Sequence, residues 1–135
     1  MNFSESVDTK RAKNLNPIVL AFVGDAVYSL YVREKAALAL DAKSGKLSAI
    51  AGSVVSARAQ ARFVDEHPGV FTEDEADIFR RARNAKKPSR AKHSTVTEYN
   101  KSTGLEAVFG YLYLIGDTDR LNFLLNLSDD IKGEL

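Results

Sequence analysis

At 135 residues and 14.8 kDa the chain has room for one domain around one core, spanning 1–135 with its structured part at about 15–127. Hydrophobic residues at 44% and charged residues at 27% exclude collagen-like, coiled-coil and disordered classes. The absence of Cys excludes disulfides, thiolate metal sites and cysteine nucleophiles; with no apolar leader in residues 1–14 and no membrane-length apolar stretch, a cytoplasmic location is expected.

Hydrophobic periodicity predicts helices throughout and no strand, so the expected class is an all-α, multi-helix domain. Asn16-Pro17 opens the first helix, with Asn as N-cap and Pro at the first helical position. It runs to about Leu40, with Leu20, Val23, Val27 and Leu30 as its apolar stripe. Gly24 weakens it locally and permits close approach of another backbone. A second helix is predicted over about Lys46 to Glu66, with Leu47, Ile50, Val54, Ala57, Ala61 and Val64 spaced by three or four; His67-Pro68-Gly69 ends it. Thr72-Glu73-Asp74-Glu75 is a capping box that opens a third helix ending near Asn84. Residues 85–94 form a basic loop containing Pro88. A helix resumes near Thr95 and reaches about Ile115, with Gly104 a candidate interruption. Asp117 or Thr118 caps a last helix through about Leu127.

The net charge of +1 averages two unlike regions. Residues 80–93 hold seven Lys and Arg, one His and no acid, leaving 12 bases against 18 acids elsewhere. Seven bases in 14 residues repel one another unless a polyanion lies nearby. The plainer alternative is a solvated charged loop. The opposite pattern is more telling. Asp25 is the one charge among the 19 residues between Lys13 and Arg33, and Glu106 the one charge among the 15 between Lys101 and Asp117. A carboxylate in apolar surroundings is costly unless paired, hydrogen-bonded or bound to metal, which makes both functional candidates. The alternative is a solvent-facing charge on an amphipathic helix.

Two isolated carboxylates fit a general acid/base pair or a hard-cation site such as one for Mg2+. A basic segment beside them points to phosphodiester hydrolysis rather than glycoside hydrolysis, which uses two carboxylates but needs no basic loop. There is no P-loop and no GxGxxG. His67 lies in a turn, and His93 adjoins the basic loop as a phosphate contact or a structural group. Composition and spacing stop at metal-assisted work on a polyanion.

The stretches LAFVGDAVY (Leu20–Tyr28), VSARAQA (Val55–Ala61), RARNAK (Arg81–Lys86) and YNKSTGLEAVFGYL (Tyr99–Leu112) together resemble the ribonuclease III catalytic domain. Within that family they are most similar to the Mini-III ribonucleases, which have that domain alone. The resemblance implies a homodimeric, Mg2+-dependent endonuclease for double-stranded RNA, with Mn2+ as a substitute ion. It implies that Asp25 and Glu106 bind metal and are essential for cleavage, and that products carry 5′-phosphate and 3′-hydroxyl ends. Maturation of the 23S ribosomal RNA precursor is the role it implies. Ordinary ribonuclease III has a Glu four residues before the Asp and an Asp three residues before the Glu. Here those positions are Ala21 and Thr103, reductions that Mini-III enzymes share. Fewer protein ligands per metal remain; Thr103 either acts on the metal through a water or simply packs.

Only 29 residues follow Glu106, too few for a separate double-stranded-RNA-binding domain. The 80–93 segment is therefore expected to grip RNA, through Arg83, Lys86, Lys87, Arg90, Lys92 and His93. Arg58 and Gln60 are further RNA contacts or else the exposed face of the second helix. Two copies are expected to pack through the apolar surface of the first helix. The rivals are a non-catalytic all-helical RNA- or ribosome-binding module and a helical dimerisation domain with a solvated loop.

Overall fold

The computed structural model describes residues 5–39, 43–87 and 94–128, and among them every regular element is helical. The elements are α1 (Thr9–Lys13), α2 (Pro17–Ala39), α3 (Ser44–Val54), α4 (Ala57–Glu66), α5 (Glu73–Asn84), α6 (Val96–Ile115) and α7 (Thr118–Leu127). The all-α expectation holds. Among the described residues no helix is long and apolar enough to cross a membrane.

Side-chain caps account for most of the helix starts. Asn16 Oδ1 accepts from the Ile18 amide at 2.8 Å, which caps α2 with Pro17 as its first residue. Thr72 and Glu75 form a complete capping box on α5, and Thr95 and Glu98 form another on α6. Gly116 at φ 76° closes α6 in the left-handed conformation, after which Asp117 caps α7.

Two expectations fail at Ser56 and Gly104. The predicted second helix is two helices, because Ser56 adopts an extended backbone (φ −60°, ψ 154°) and its hydroxyl accepts from the Ala59 amide. A serine that caps a new helix competes with continuing the old one. Gly104, by contrast, leaves α6 unbroken; it lies buried against the Phe79 ring.

The core is organised by α6, which packs on α2, α5 and α4 and also touches α1 and α7. Its contact with α2 is backbone on backbone. A Cβ on Gly24 would stand 1.6 Å from the Glu106 carbonyl oxygen, and one on Gly110 would stand 2.0 Å from that of Leu20. Each glycine costs its helix about 1 kcal/mol relative to Ala, and close helix packing offsets that cost.

This contact also moves the buried stripe of α2. The buried residues are Leu20, Ala21, Gly24, Tyr28, Val32 and Ala36, whereas Leu30 of the expected stripe is 45% exposed. Apolar residues surround α2, so hydrophobicity alone does not select a face; the small residues that fit α6 do. The consequence is an apolar surface left in water. Phe22 is 79% exposed, with Val19 and Leu30 also exposed.

Beyond α6, Glu75 joins α5 to α7. Its buried carboxylate takes two bonds from Arg120, Nε to Oε2 and Nη2 to Oε1, each 2.8 Å. The Thr72 amide supplies a third donor at 3.0 Å.

Candidate active site

The glycine crossing that joins α2 to α6 also brings the two isolated acids together. Asp25 follows Gly24, and Gly24 rests on the carbonyl of Glu106. The two carboxyl groups lie within hydrogen-bonding reach of each other. Burial pushes the Glu106 carboxyl up to about 8, and the negative charge of Asp25 pushes in the same direction. One donor opposes this: Gln60 Nε2, 3.2 Å from Glu106 Oε2. Among the described residues no Lys or Arg forms an ion pair with either acid.

The sequence placed both acids in apolar surroundings, and the structure exposes them to different degrees. Glu106 is half-buried, but Asp25 is exposed. It stands on the rim of a groove of about 540 Å³, lined by Phe22, Val27, Tyr31, Leu112 and Leu121 among others. Of the apolar residues around Asp25, Phe22, Val23, Ala26 and Val27 line this groove, while Ala21 and Tyr28 lie in the core.

Gln60 departs from one of its expected positions. It does not lie on the exposed face of a helix: it is 2% exposed, turned inward, and Nε2 also donates to the Val55 carbonyl at 2.8 Å. The spacing carried this signal, because Gln60 lies three residues after Ala57 and four before Val64, on the inward stripe. Thr103 is buried as well, and its hydroxyl donates to the Tyr99 carbonyl one turn back, at 3.0 Å.

The basic candidates are spread more widely than a loop. Arg80, Arg81 and Arg83 lie in the last turns of α5, where Arg80 and Arg81 both pair with Asp77. The charge of the 80–93 segment is thus partly neutralised by an acid just outside it. Arg83 stacks over the Phe79 ring, and Lys86 is exposed. Lys87 folds back onto the Arg83 and Ala85 carbonyls, and partial burial lowers its pKa. Arg90, Lys92, His93 and Pro88 lie outside the described residues. Arg58 is exposed, as expected, and borders a polar groove with Arg62, Lys101, Thr95 and Thr97. The i, i+4 spacing of Arg58 and Arg62 was the available sign of that groove.

Among the described residues no cluster of three or more His, Asp or Glu could enclose a metal ion. The donors present are carboxylate oxygens, and the elevated Glu106 pKa marks a pair that lacks positive charge. That set suits a hard divalent cation taking most of its ligands from water and substrate.

The Ribonuclease III domain family matches residues 18–117. The chain is 44% identical over 124 residues to the Mini-ribonuclease 3 of Staphylococcus aureus, covering 90% of this chain and 92% of the relative. It is 44% identical to that of a Thermoanaerobacter species (90% and 85% covered) and 43% identical to that of Streptococcus pneumoniae (83% and 89%). The X-ray crystal structure of a Fusobacterium nucleatum protein superposes with a TM-score of 0.79 at 30% identity, covering 90% of this chain and 96% of that one. With the fold, the paired acids and these likenesses in agreement, the chain belongs to the ribonuclease III family, in its Mini-ribonuclease 3 group, and is an endoribonuclease.

Proposed function

We propose that this endoribonuclease cleaves double-stranded RNA as a Mg2+-dependent homodimer in the cytoplasm, with the 23S ribosomal RNA precursor as its substrate. The observation that carries the reading is the Asp25–Glu106 pair: two carboxyls close enough to interact, no basic partner among the described residues, and Glu106 held at about 8. Asp25 and Glu106 would hold the ion, with Mn2+ as a substitute. When bound there, Mg2+ supplies positive charge at the phosphate and activates water.

The chain's own residues do the rest. Glu106 presents its carboxylate from the central helix α6, and Asp25 meets it from the groove side. Thr103 is buried one turn before Glu106, with its hydroxyl proton donated to the Tyr99 carbonyl. The exposed Phe22 beside a groove of about 540 Å³ supports pairing of two copies through α2. Lys86, Arg83 and Arg58, with Lys87, Arg90, Lys92 and His93 of the basic segment, would contact backbone phosphates. RNA duplexes are read mainly by shape, 2′-hydroxyls and phosphates, so little sequence preference is expected from them.

The test is incubation of a duplex-containing ribosomal RNA precursor with Mg2+, beside Glu106→Gln, followed by mapping of product ends. The reading predicts 5′-phosphate and 3′-hydroxyl ends from the wild type and intact RNA with the variant. Cleavage by Glu106→Gln at near the wild-type rate overturns it. Changing Lys86, Lys87, Arg90 and Lys92 together to Ala should flatten the salt dependence of RNA binding, because each phosphate contact releases counterions. An unchanged slope, read by titration at several salt concentrations, removes that segment from the interface.

A further inference from the structure

We infer that Gln60 is a positioning residue for cleavage: its amide fixes one oxygen of Glu106 to the start of α4, so that the carboxylate meets Asp25 in a single orientation. The inference rests on Asp25 and Glu106 being the cleaving pair.

Gln60 is the polar link between α4 and this pair. Its Nε2 donates to the Val55 carbonyl at 2.8 Å and to Glu106 Oε2 at 3.2 Å. The Val55 carbonyl can only accept, so the amide has one workable orientation; turning it over would aim Oε1 at that oxygen. The two bonds use both protons of the amide nitrogen. Through them the carboxylate is tied to the residue just before the Ser56 cap, where α4 begins.

The other end of the same amide, the buried Oε1, makes no hydrogen bond to a described protein group, so the polar contacts of Gln60 are those of its nitrogen. A buried acceptor without a partner is a stability cost, whereas an apolar side chain of similar length would avoid it. An unbranched apolar residue such as Met is close to Gln in length and volume. What it could not do is hold the carboxylate of Glu106. Residues that orient the groups touching a metal or substrate commonly change activity by 10- to 100-fold when removed, about the range expected here.

The experiment compares wild type, Gln60→Met and Gln60→Glu in single-turnover cleavage of duplex RNA with Mg2+. RNA affinity is measured separately without divalent ions. Gln60→Met should lose about 10- to 100-fold in rate with RNA affinity unchanged. Gln60→Glu should lose at least as much, since a third carboxylate replaces the donor. A wild-type rate in Gln60→Met overturns the inference. So does weaker RNA binding with a shallower salt dependence, because that marks a phosphate contact. A second readout needs no activity and no variant at position 60: the side-chain amide 1H–15N signals of Gln60. They should exchange slowly with solvent and shift when Glu106 is changed to Ala; signals indifferent to that change overturn the inference. Full cleavage by Glu106→Gln overturns the assignment of the pair itself. Loss in Glu106→Gln with a full rate in Gln60→Met overturns only the role of Gln60.

Discussion

Glu75 and Glu106 are both glutamates drawn out of water, and their surroundings are opposite. Glu75 is 2% exposed, yet it meets a bidentate guanidinium and a backbone amide, so its charge is compensated on every side the structure shows. Glu106 has one amide donor and a second carboxylate, and its pKa rises to about 8. Desolvation is offset at the first and left standing at the second. A fold that supplies a cation for one glutamate and withholds it from the other keeps the second available for a ligand that brings positive charge. Burial alone would have picked the wrong residue; the missing partner picks Glu106.

The largest effect should come from the contact that creates the pair. Gly24→Ala or Gly110→Ala places a Cβ inside a carbonyl of the opposing helix. Each should cost about 3–5 kcal/mol or prevent folding, read by urea denaturation. A loss below about 1 kcal/mol would show that α2 and α6 can separate without harm, and that the juxtaposition of the acids is not built into the fold.

Glu75→Gln should come next. Leaving Arg120 without its carboxylate should cost about 3 kcal/mol by the same measurement, while the cleavage rate per folded molecule stays unchanged. A fall in that rate would erase the distinction between a structural and a functional glutamate.

The pH effect is smaller and opposite in character. Glu106 has an ordinary value of 4.5 and a folded value of about 8. Between these, the folded protein holds a proton that the unfolded chain has released. Metal-free stability therefore falls as pH rises through this window. Glu106→Gln removes that fall, so at pH 8 the variant should be more stable than wild type by about 1–2 kcal/mol, a figure reduced for the carboxyl's partial exposure. Thermal unfolding across the window checks the sign: equal slopes in the two proteins would mean that Glu106 carries no desolvation cost.

Much of this contrast was legible before the structure. The capping box explained why acids cluster at residues 72–75, and the solitude of Asp25 and Glu106 in apolar sequence singled them out. Gly24 allowed a close backbone approach, though it did not name the helix that would make it. What the sequence hid follows from geometry. Helix α2 is apolar around its circumference, so its buried face was set by the fit of Gly24 to α6 rather than by hydrophobicity, and Asp25 emerged exposed. Ser56 read as one more residue of a long helix, because its extended backbone depends on where α4 must point. Gln60 read as a surface residue because its type usually is one. Its inward register was visible, but the partner that justifies burial sits 46 residues away. Arg120 as the partner of Glu75 was equally out of reach, 45 residues on.

The most direct test compares the two glutamates in one assay: single-turnover cleavage of duplex RNA with Mg2+ by wild type, Glu75→Gln and Glu106→Gln, at a temperature where all three are folded. Glu75→Gln should cleave within about twofold of wild type and Glu106→Gln at least about a hundredfold more slowly. Cleavage by Glu106→Gln at near the wild-type rate would contradict the assignment of the Asp25–Glu106 pair as the catalytic centre.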